Sequence, residues 1–90
     1  MMRKNEPVFV ISVAARLANV HPRTLRIYEE QGLITPARTE GNIRLYSQHD
    51  INRVRYIRYL TQKKNVNLAG VKIILEITDR YGINVMEPEE

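Results

Sequence analysis

The sequence predicts a mostly α-helical domain that carries one small β-hairpin. Ninety residues are enough for a single domain. The second half of the chain has apolar residues at helical spacing, namely Ile51, Val54, Ile57 and Leu60. Before this stripe, Glu40-Gly41-Asn42 is a turn signal between two short runs that can pair as strands. Together these features predict helices on both sides of a hairpin.

The composition excludes several classes of function. The chain has no cysteine, which rules out disulfides, thiolate metal sites and thiol redox chemistry. It has no apolar run of membrane-spanning length, and its N-terminus lacks the unbroken apolar core of a signal peptide. We therefore expect a cytoplasmic protein with no membrane partner. Because paired carboxylates, a metal cluster and a glycine-rich phosphate loop are all missing, we expect no enzyme, no metal and no cofactor.

Charge is distributed unevenly along the chain. Residues 16–64 contain ten Lys and Arg and four acids, a net charge of +6. Residues 76–90 contain five acids and one Arg, a net charge of −4. A basic body suggests a polyanionic partner, whereas the alternative is a generic basic surface. Charge alone does not decide between them.

The first third of the chain predicts two short helices. Pro7–Ile11 is expected to be extended, with Ser12 as the N-cap of the first helix. Ala18–Val20 should break that helix. His21 and Pro22 then begin the second, because the missing N–H of proline costs nothing at the first helical position.

The second helix should bury Leu25 and Tyr28 and end at Gly32, which can adopt the left-handed conformation. In the hairpin that follows, side-chain alternation places Ile43 and Leu45 on one face. Arg44 and Tyr46 then share the opposite face.

Two longer helices complete the prediction. Ser47 and Asp50 form a capping-box variant that opens the third helix. Asn67 is expected to cap a fourth helix, which ends near Tyr81 with Gly82 as its stop. The apolar face of the fourth helix is broader than one small core needs. Its surplus residues are Ile73 and Ile77, followed by Ile83 and Val85.

Two short helices separated by three residues resemble a helix-turn-helix, whose second helix enters the major groove of DNA. Arg23, Thr24 and Arg26 lie in the first two turns of that second helix. A helix N-terminus attracts phosphate through its free amides and dipole. Arginine can also bind phosphate or guanine with two hydrogen bonds.

The basic hairpin predicts a second contact, a wing formed by Arg38, Arg44 and Tyr46. Lys63 and Lys64, between the last two helices, are either a second wing or a solvated loop.

Several of these residues also have a purely structural interpretation. Tyr28 either contacts phosphate or packs under the wing. A solvated helix face is the favoured interpretation of Arg53, Arg55 and Arg58. His21 is expected to start a helix rather than bind metal. Ile73 and Ile77 belong either to the core or to a dimer or partner face.

The order of these elements resembles the DNA-binding domain of the MerR family. The strings that carry the resemblance are RTLRIYEEQGLI, RTEGNIRLYSQHDINRVRYI and NVNLAGVKIILEI. Within that family, VISVAARLANVHPRTLRIYE and TQKKNVNLAGVKIIL most resemble the HspR-type repressors of heat-shock chaperone genes. The GlnR/TnrA nitrogen regulators are the close rival.

The resemblance implies a winged helix-turn-helix at residues 1–81 and a short acidic tail at residues 82–90. It assigns the recognition helix Arg23, Thr24, Arg26 and Tyr28. It assigns the first wing Arg38, Asn42, Arg44 and Tyr46.

The resemblance also implies partners. Members of the family act as dimers on inverted repeats of double-stranded DNA, so we expect a homodimer at least on DNA. The long dimerisation helix of the family is not evident here, since YGINVMEPEE has no heptads. HspR-type proteins work with the chaperone DnaK, which makes DnaK a candidate co-repressor. The expected location is the bacterial nucleoid.

The function most consistent with these features is a sequence-specific regulator that represses chaperone genes. A nitrogen regulator is the first alternative. An excisionase-like accessory factor is the second, although NVNLAGVKIIL argues against it. The third is an interaction adaptor that no longer binds DNA, and the exposed arginines argue against it.

Overall fold

The computed structural model describes residues 3–82, which form four helices and one two-stranded antiparallel sheet. In chain order the elements are α1 (Ile11–Ala18), α2 (Pro22–Glu30), β1 (Ala37–Arg38), β2 (Arg44–Leu45), α3 (Gln48–Gln62) and α4 (Leu68–Arg80). The predicted mostly helical fold with a small hairpin is confirmed. None of the helices in this part of the chain combines the length and apolarity that a bilayer crossing requires.

The start of α1 corrects one prediction. Val10 precedes the helix without a side-chain cap, and Ser12 lies inside the helix and is exposed, so Ser12 is not the N-cap. The physical reason is a long-range pairing. The amide of Phe9 donates to the carbonyl of Tyr46 at 2.9 Å, and the amide of Tyr46 donates back at 2.7 Å. This bridge holds the chain extended up to Val10, so the helix begins directly after it.

The turn between α1 and α2 is held from two sides. Asn19 adopts the left-handed conformation with φ of 57°, a conformation that asparagine tolerates better than most residues. Arg58 of α3 donates to the carbonyl oxygen of Asn19 and to the side chain of Gln62. The side chain of Arg58 therefore fixes the turn to α3.

The boundaries of α2 follow the prediction. Pro22 is its first residue, and the Nδ1 atom of His21 accepts a hydrogen bond from the amide of Arg23 at 3.0 Å. Gly32 follows the helix with φ of 75°. A side chain at that φ would be strained, which is why the helix stops at a glycine.

α3 runs through the centre of the core. Its capping box is complete, since the Ser47 amide donates to Asp50 at 2.9 Å and the Asp50 amide donates to Ser47 at 3.0 Å. The predicted apolar stripe is buried, with Ile57 fully inaccessible. It packs with Leu25 of α2 and Leu75 of α4 in one cluster. The cluster positions α2 on the domain surface.

α4 begins where predicted, because the side chain of Asn67 accepts from the amide of Gly70 at 2.8 Å. Its surplus apolar side chains are exposed rather than part of the core, with Ile73 at 58% and Ile77 at 49%. Ile83 and Val85, predicted to extend this face, and the acidic residues of the predicted tail lie outside the described residues.

Arg53 is a structural residue rather than part of a solvated face. Its Nε donates to the carbonyl of Leu33 at 2.8 Å, and its terminal nitrogens reach both oxygens of Asp79 at 3.0 and 3.1 Å. These bonds tie α3 to the segment after α2 and to α4. The interpretation as a solvated face is therefore wrong for Arg53 and for Arg58, because both face polar groups of neighbouring elements.

Candidate nucleic-acid interface

The first half of α2 carries basic side chains that have no hydrogen-bond or ion-pair partner among residues 3–82. Arg23 and Arg26 are exposed and Thr24 is half-buried. Within residues 3–82, none of these three side chains makes a hydrogen bond or an ion pair. Leu25 and Tyr28, on the opposite side of the helix, are buried and anchor it to the core. Residues 23, 24 and 26 are thus held on the outer surface of a fixed helix.

The backbone amides at the start of α2 already have hydrogen-bond partners within the protein. The predicted phosphate contact therefore changes in its source of attraction. Pro22 has no N–H, the Arg23 amide donates to the side chain of His21, and the Thr24 amide donates to the His21 carbonyl at 2.9 Å. Free amides are therefore not the main attraction for phosphate at this end. The side chains of Arg23 and Arg26 supply the positive charge.

The wing is joined to α2 by one carboxylate. Arg38 and Arg44 lie directly opposite each other in the antiparallel pair. Glu29 of α2 accepts from Nη2 of Arg38 at 2.8 Å and from Nε of Arg44 at 2.6 Å. One side chain of α2 therefore fixes the position of the hairpin beside that helix. Glu29 is absent from the sequence-predicted site, where the only signal for it is an acidic pair that ends an otherwise basic helix.

Asn42 has its role inside the hairpin. Its φ of 66° is left-handed, as the tight turn requires. Its carbonyl and side-chain oxygens face Nη1 of Arg38 at 3.2 and 3.5 Å. Asn42 therefore supports Arg38 within the wing, and a direct contact of Asn42 with DNA stays a prediction.

Two tyrosines of the predicted site are in the core rather than on the surface. Tyr28 is 6% exposed and Tyr46 is fully inaccessible, and burial raises the pKa of both hydroxyls. This burial favours the structural interpretation, in which Tyr28 packs beneath the surface, and a contact of either tyrosine with DNA stays a prediction. Alternation along β2 does not predict this burial, because the ring of Tyr46 packs in the core cluster and its backbone pairs with the distant Phe9.

We expect Tyr46→Phe to raise the free energy of unfolding by about 1–3 kcal/mol, because a buried hydroxyl without a partner is costly. The Tyr46 hydroxyl has no hydrogen-bond partner among the described residues. Urea unfolding of the variant and the wild type measures this difference. A variant with unchanged stability but weaker DNA binding would instead assign the hydroxyl to a phosphate.

The carboxylate of Glu29 predicts an acid-sensitive wing. Its burial alone would raise the pKa of Glu29, but the hydrogen bonds from Arg44 and Arg38 outweigh burial and lower that pKa below its usual 4.5. A lowered pKa in the folded state means that this stabilisation is complete above pH 4.5 and is lost as the pH falls below it. Unfolding measured between neutral and acid pH should show a smaller acid-induced loss of stability in Glu29→Gln. An unchanged loss in that variant would contradict the prediction.

The loop between α3 and α4 places the second pair of basic residues in solvent. Lys63 and Lys64 are exposed, and Nζ of Lys64 lies 5.9 Å from the centre of the Tyr59 ring. The left-handed Asn65, with φ of 56°, shapes this loop. The geometry leaves both lysines accessible to a partner.

Comparison with known proteins identifies the family. The model for the MerR HTH family regulatory protein matches residues 9–77, which contain both helices of the helix-turn-helix, the wing, α3 and most of α4. The chain belongs to the MerR family. The prediction of a regulator rather than an enzyme is confirmed, since this is a family of transcriptional regulators.

Individual relatives agree with the MerR assignment. A Streptomyces coelicolor protein assigned as the heat shock protein HspR is 46% identical over 79 residues, covering 88% of this chain and 52% of its own length. The regulator GlnR of Bacillus anthracis is 34% identical over 88 residues, covering 98% of this chain and 67% of its own. The chain thus spans between half and two thirds of these relatives.

Solved structures share the fold of this MerR domain. The regulator PbrR691 of Ralstonia metallidurans, solved with lead(II), has a TM-score of 0.72 at 34% identity, over 90% of this chain and 58% of that one. HiNmlR, a MerR family regulator lacking the sensor domain and bound to promoter DNA, has a TM-score of 0.73 at 23% identity, over 80% and 55%.

Proposed function

We propose that this domain binds double-stranded DNA, with α2 in the major groove and the hairpin on the neighbouring backbone. The observation that carries the proposal is one continuous basic surface. Arg23 and Arg26 project from α2, and Glu29 of the same helix holds both wing arginines. Thr24 can add a contact to phosphate or to a thymine methyl group. HiNmlR, which shares the fold, is bound to promoter DNA, and this likeness supports binding to DNA.

We further propose that the protein regulates transcription of heat-shock chaperone genes as a repressor. The 46% identity to the Streptomyces HspR supports this choice. Regulation of nitrogen genes is the second candidate, because GlnR is similar over nearly the whole chain. Membership in a family of regulators favours both over a recombination accessory factor or an adaptor.

We also propose that two copies assemble on an inverted repeat. Two large apolar side chains on α4, Ile73 and Ile77, and Tyr81 directly after the helix are spaced four residues apart and are exposed by 58%, 49% and 70%. Residues at this spacing form one stripe along a helix. A second copy of the chain would bury this stripe. The chaperone DnaK, acting as a co-repressor, is the other candidate partner for it.

Lys63 and Lys64 are proposed as a second wing that contacts DNA. The bacterial nucleoid is the proposed location of the protein.

Selection of genomic fragments from the source organism by the purified protein, at physiological salt, tests the proposal. Enrichment of an inverted repeat upstream of chaperone operons supports the HspR-like function and two assembled copies. Enrichment upstream of nitrogen-assimilation genes supports the second candidate, and enrichment of recombination sites supports an accessory factor. Binding that does not distinguish genomic from random fragments contradicts sequence-specific regulation.

A further inference from the structure

The wing contains a charge conflict that its own strands do not resolve. Arg38 and Arg44 are opposite each other in the register of β1 and β2. Like charges directly across an antiparallel pair destabilise the pairing. The two strands are only two residues long each, so few backbone hydrogen bonds oppose this repulsion. Thr39 adds hydrogen bonds across the turn, with Ile43 and Asn42, but these bonds do not neutralise the two positive charges.

Glu29 supplies the opposing charge, with one oxygen for each arginine. Oε2 meets Arg38 and Oε1 meets Arg44. The side chain of Glu29 is 22% exposed, so water screens these bonds less than bonds on an open surface. The hydrogen bond to Glu29 also raises the pKa of Arg44.

The two arginines differ in which guanidinium nitrogens remain available to a DNA phosphate. A guanidinium has five N–H donors. Arg38 uses Nη2 for Glu29 and Nη1 for the oxygens of Asn42, so both of its terminal nitrogens are engaged within the protein. Arg44 uses only Nε, and within residues 3–82 its two terminal nitrogens make no hydrogen bond.

We propose that Glu29 is a positioning residue that fixes the wing beside the recognition helix. Its two hydrogen bonds give the two wing arginines different roles. Arg44 presents its terminal nitrogens to a DNA phosphate, whereas Arg38 braces the hairpin. This inference rests on the proposed DNA binding for the role of Arg44. The role of Glu29 in holding the hairpin is a property of the free protein.

The first test needs no DNA and compares Glu29→Gln with Glu30→Gln. Both variants lose one negative charge at the end of α2, but the side chain of Glu30 makes no hydrogen bond within residues 3–82. A glutamine has one acceptor oxygen and one donor nitrogen, so it cannot offer an oxygen to each arginine. The reporter is the amide of Thr39, which donates to the carbonyl of Ile43 across the hairpin at 2.9 Å.

We expect the Thr39 amide to exchange with solvent about tenfold faster in Glu29→Gln than in Glu30→Gln, given the strength of charge-assisted hydrogen bonds. The amide of Ile57 in the core serves as the reference, because it reports the global stability of each variant, and the Thr39 rate is compared after this difference is subtracted. Equal exchange of Thr39 in the two variants would overturn the positioning role of Glu29.

The second test separates the arginines by the salt dependence of binding to a short random-sequence duplex. Arg44→Ala should reduce the log–log salt slope by about 0.9, the loss of one neutralised phosphate, and Arg38→Ala should leave the slope unchanged. Equal reductions would overturn the division of roles. A wild-type protein whose binding does not respond to salt would refute the proposed DNA function, while the exchange experiment would still decide the role of Glu29.

Discussion

Replacing Ile57 with alanine should lower the free energy of unfolding by about 2–5 kcal/mol, the range for truncating a fully buried isoleucine. Ile57 is inaccessible to solvent at the centre of α3. Removing its side chain leaves a cavity between α3 and the elements that pack on it. Natural domains are stable by only about 5–15 kcal/mol, so the loss is a large share of the total. Urea unfolding at equilibrium measures it.

Ile73→Ala is the matched control, because it makes the same chemical change on a helix at a position that is 58% exposed. We expect a change within about 0.5 kcal/mol, as for other surface substitutions. Equal costs at the two positions would contradict the placement of Ile57 in the core. A cost at Ile73 that grows with protein concentration would show that a second copy covers the α4 stripe.

Arg26→Ala should weaken binding to an enriched genomic fragment by about 1–3 kcal/mol, the range for losing a bidentate contact to a base. Arg26 is exposed on the outer face of α2, and within residues 3–82 its side chain has no partner. Its removal therefore costs the fold little and changes binding directly. Titration of the fragment and of a random duplex at the same salt concentration gives the two affinities.

Arg80→Ala is the matched control for charge. It removes one positive charge from the last turn of α4, an element that is not part of the proposed surface. If Arg26 contacts a base edge, Arg26→Ala weakens the affinity for the genomic fragment more than the affinity for the random duplex. Arg80→Ala should have a small and equal effect on both affinities. If Arg26→Ala weakens both duplexes by the same factor, Arg26 touches only phosphate and does not read sequence.

Local signals predict the helix boundaries well. The side chains of His21, Ser47, Asp50 and Asn67 each accept a hydrogen bond from an amide within three residues of themselves. Because these hydrogen bonds are short-range in sequence, the residue types alone identify them. Ser12 is the exception, since the bridge between Phe9 and Tyr46 sets where α1 begins.

The candidate site is predicted less completely, because the roles of its residues depend on distant partners. Alternation along a strand assigned Arg44 and Tyr46 to one face, but it does not say whether that face meets solvent or protein. The bond from Arg44 to Glu29 spans 15 residues, and the bond from Arg53 to Asp79 spans 26. No local pattern identifies such pairs.

The sequence by itself determined the order of the elements, the N-terminal caps of α2, α3 and α4 and the buried stripe of α3, since periodicity and capping are local properties of the chain. It also determined the exposed arginines on α2, which follow from the helical phase of Leu25 and Tyr28. Only the tertiary structure decided that Tyr46 is buried and that Glu29 joins the two wing arginines. Those outcomes depend on which side chains meet after folding, and packing in three dimensions determines that.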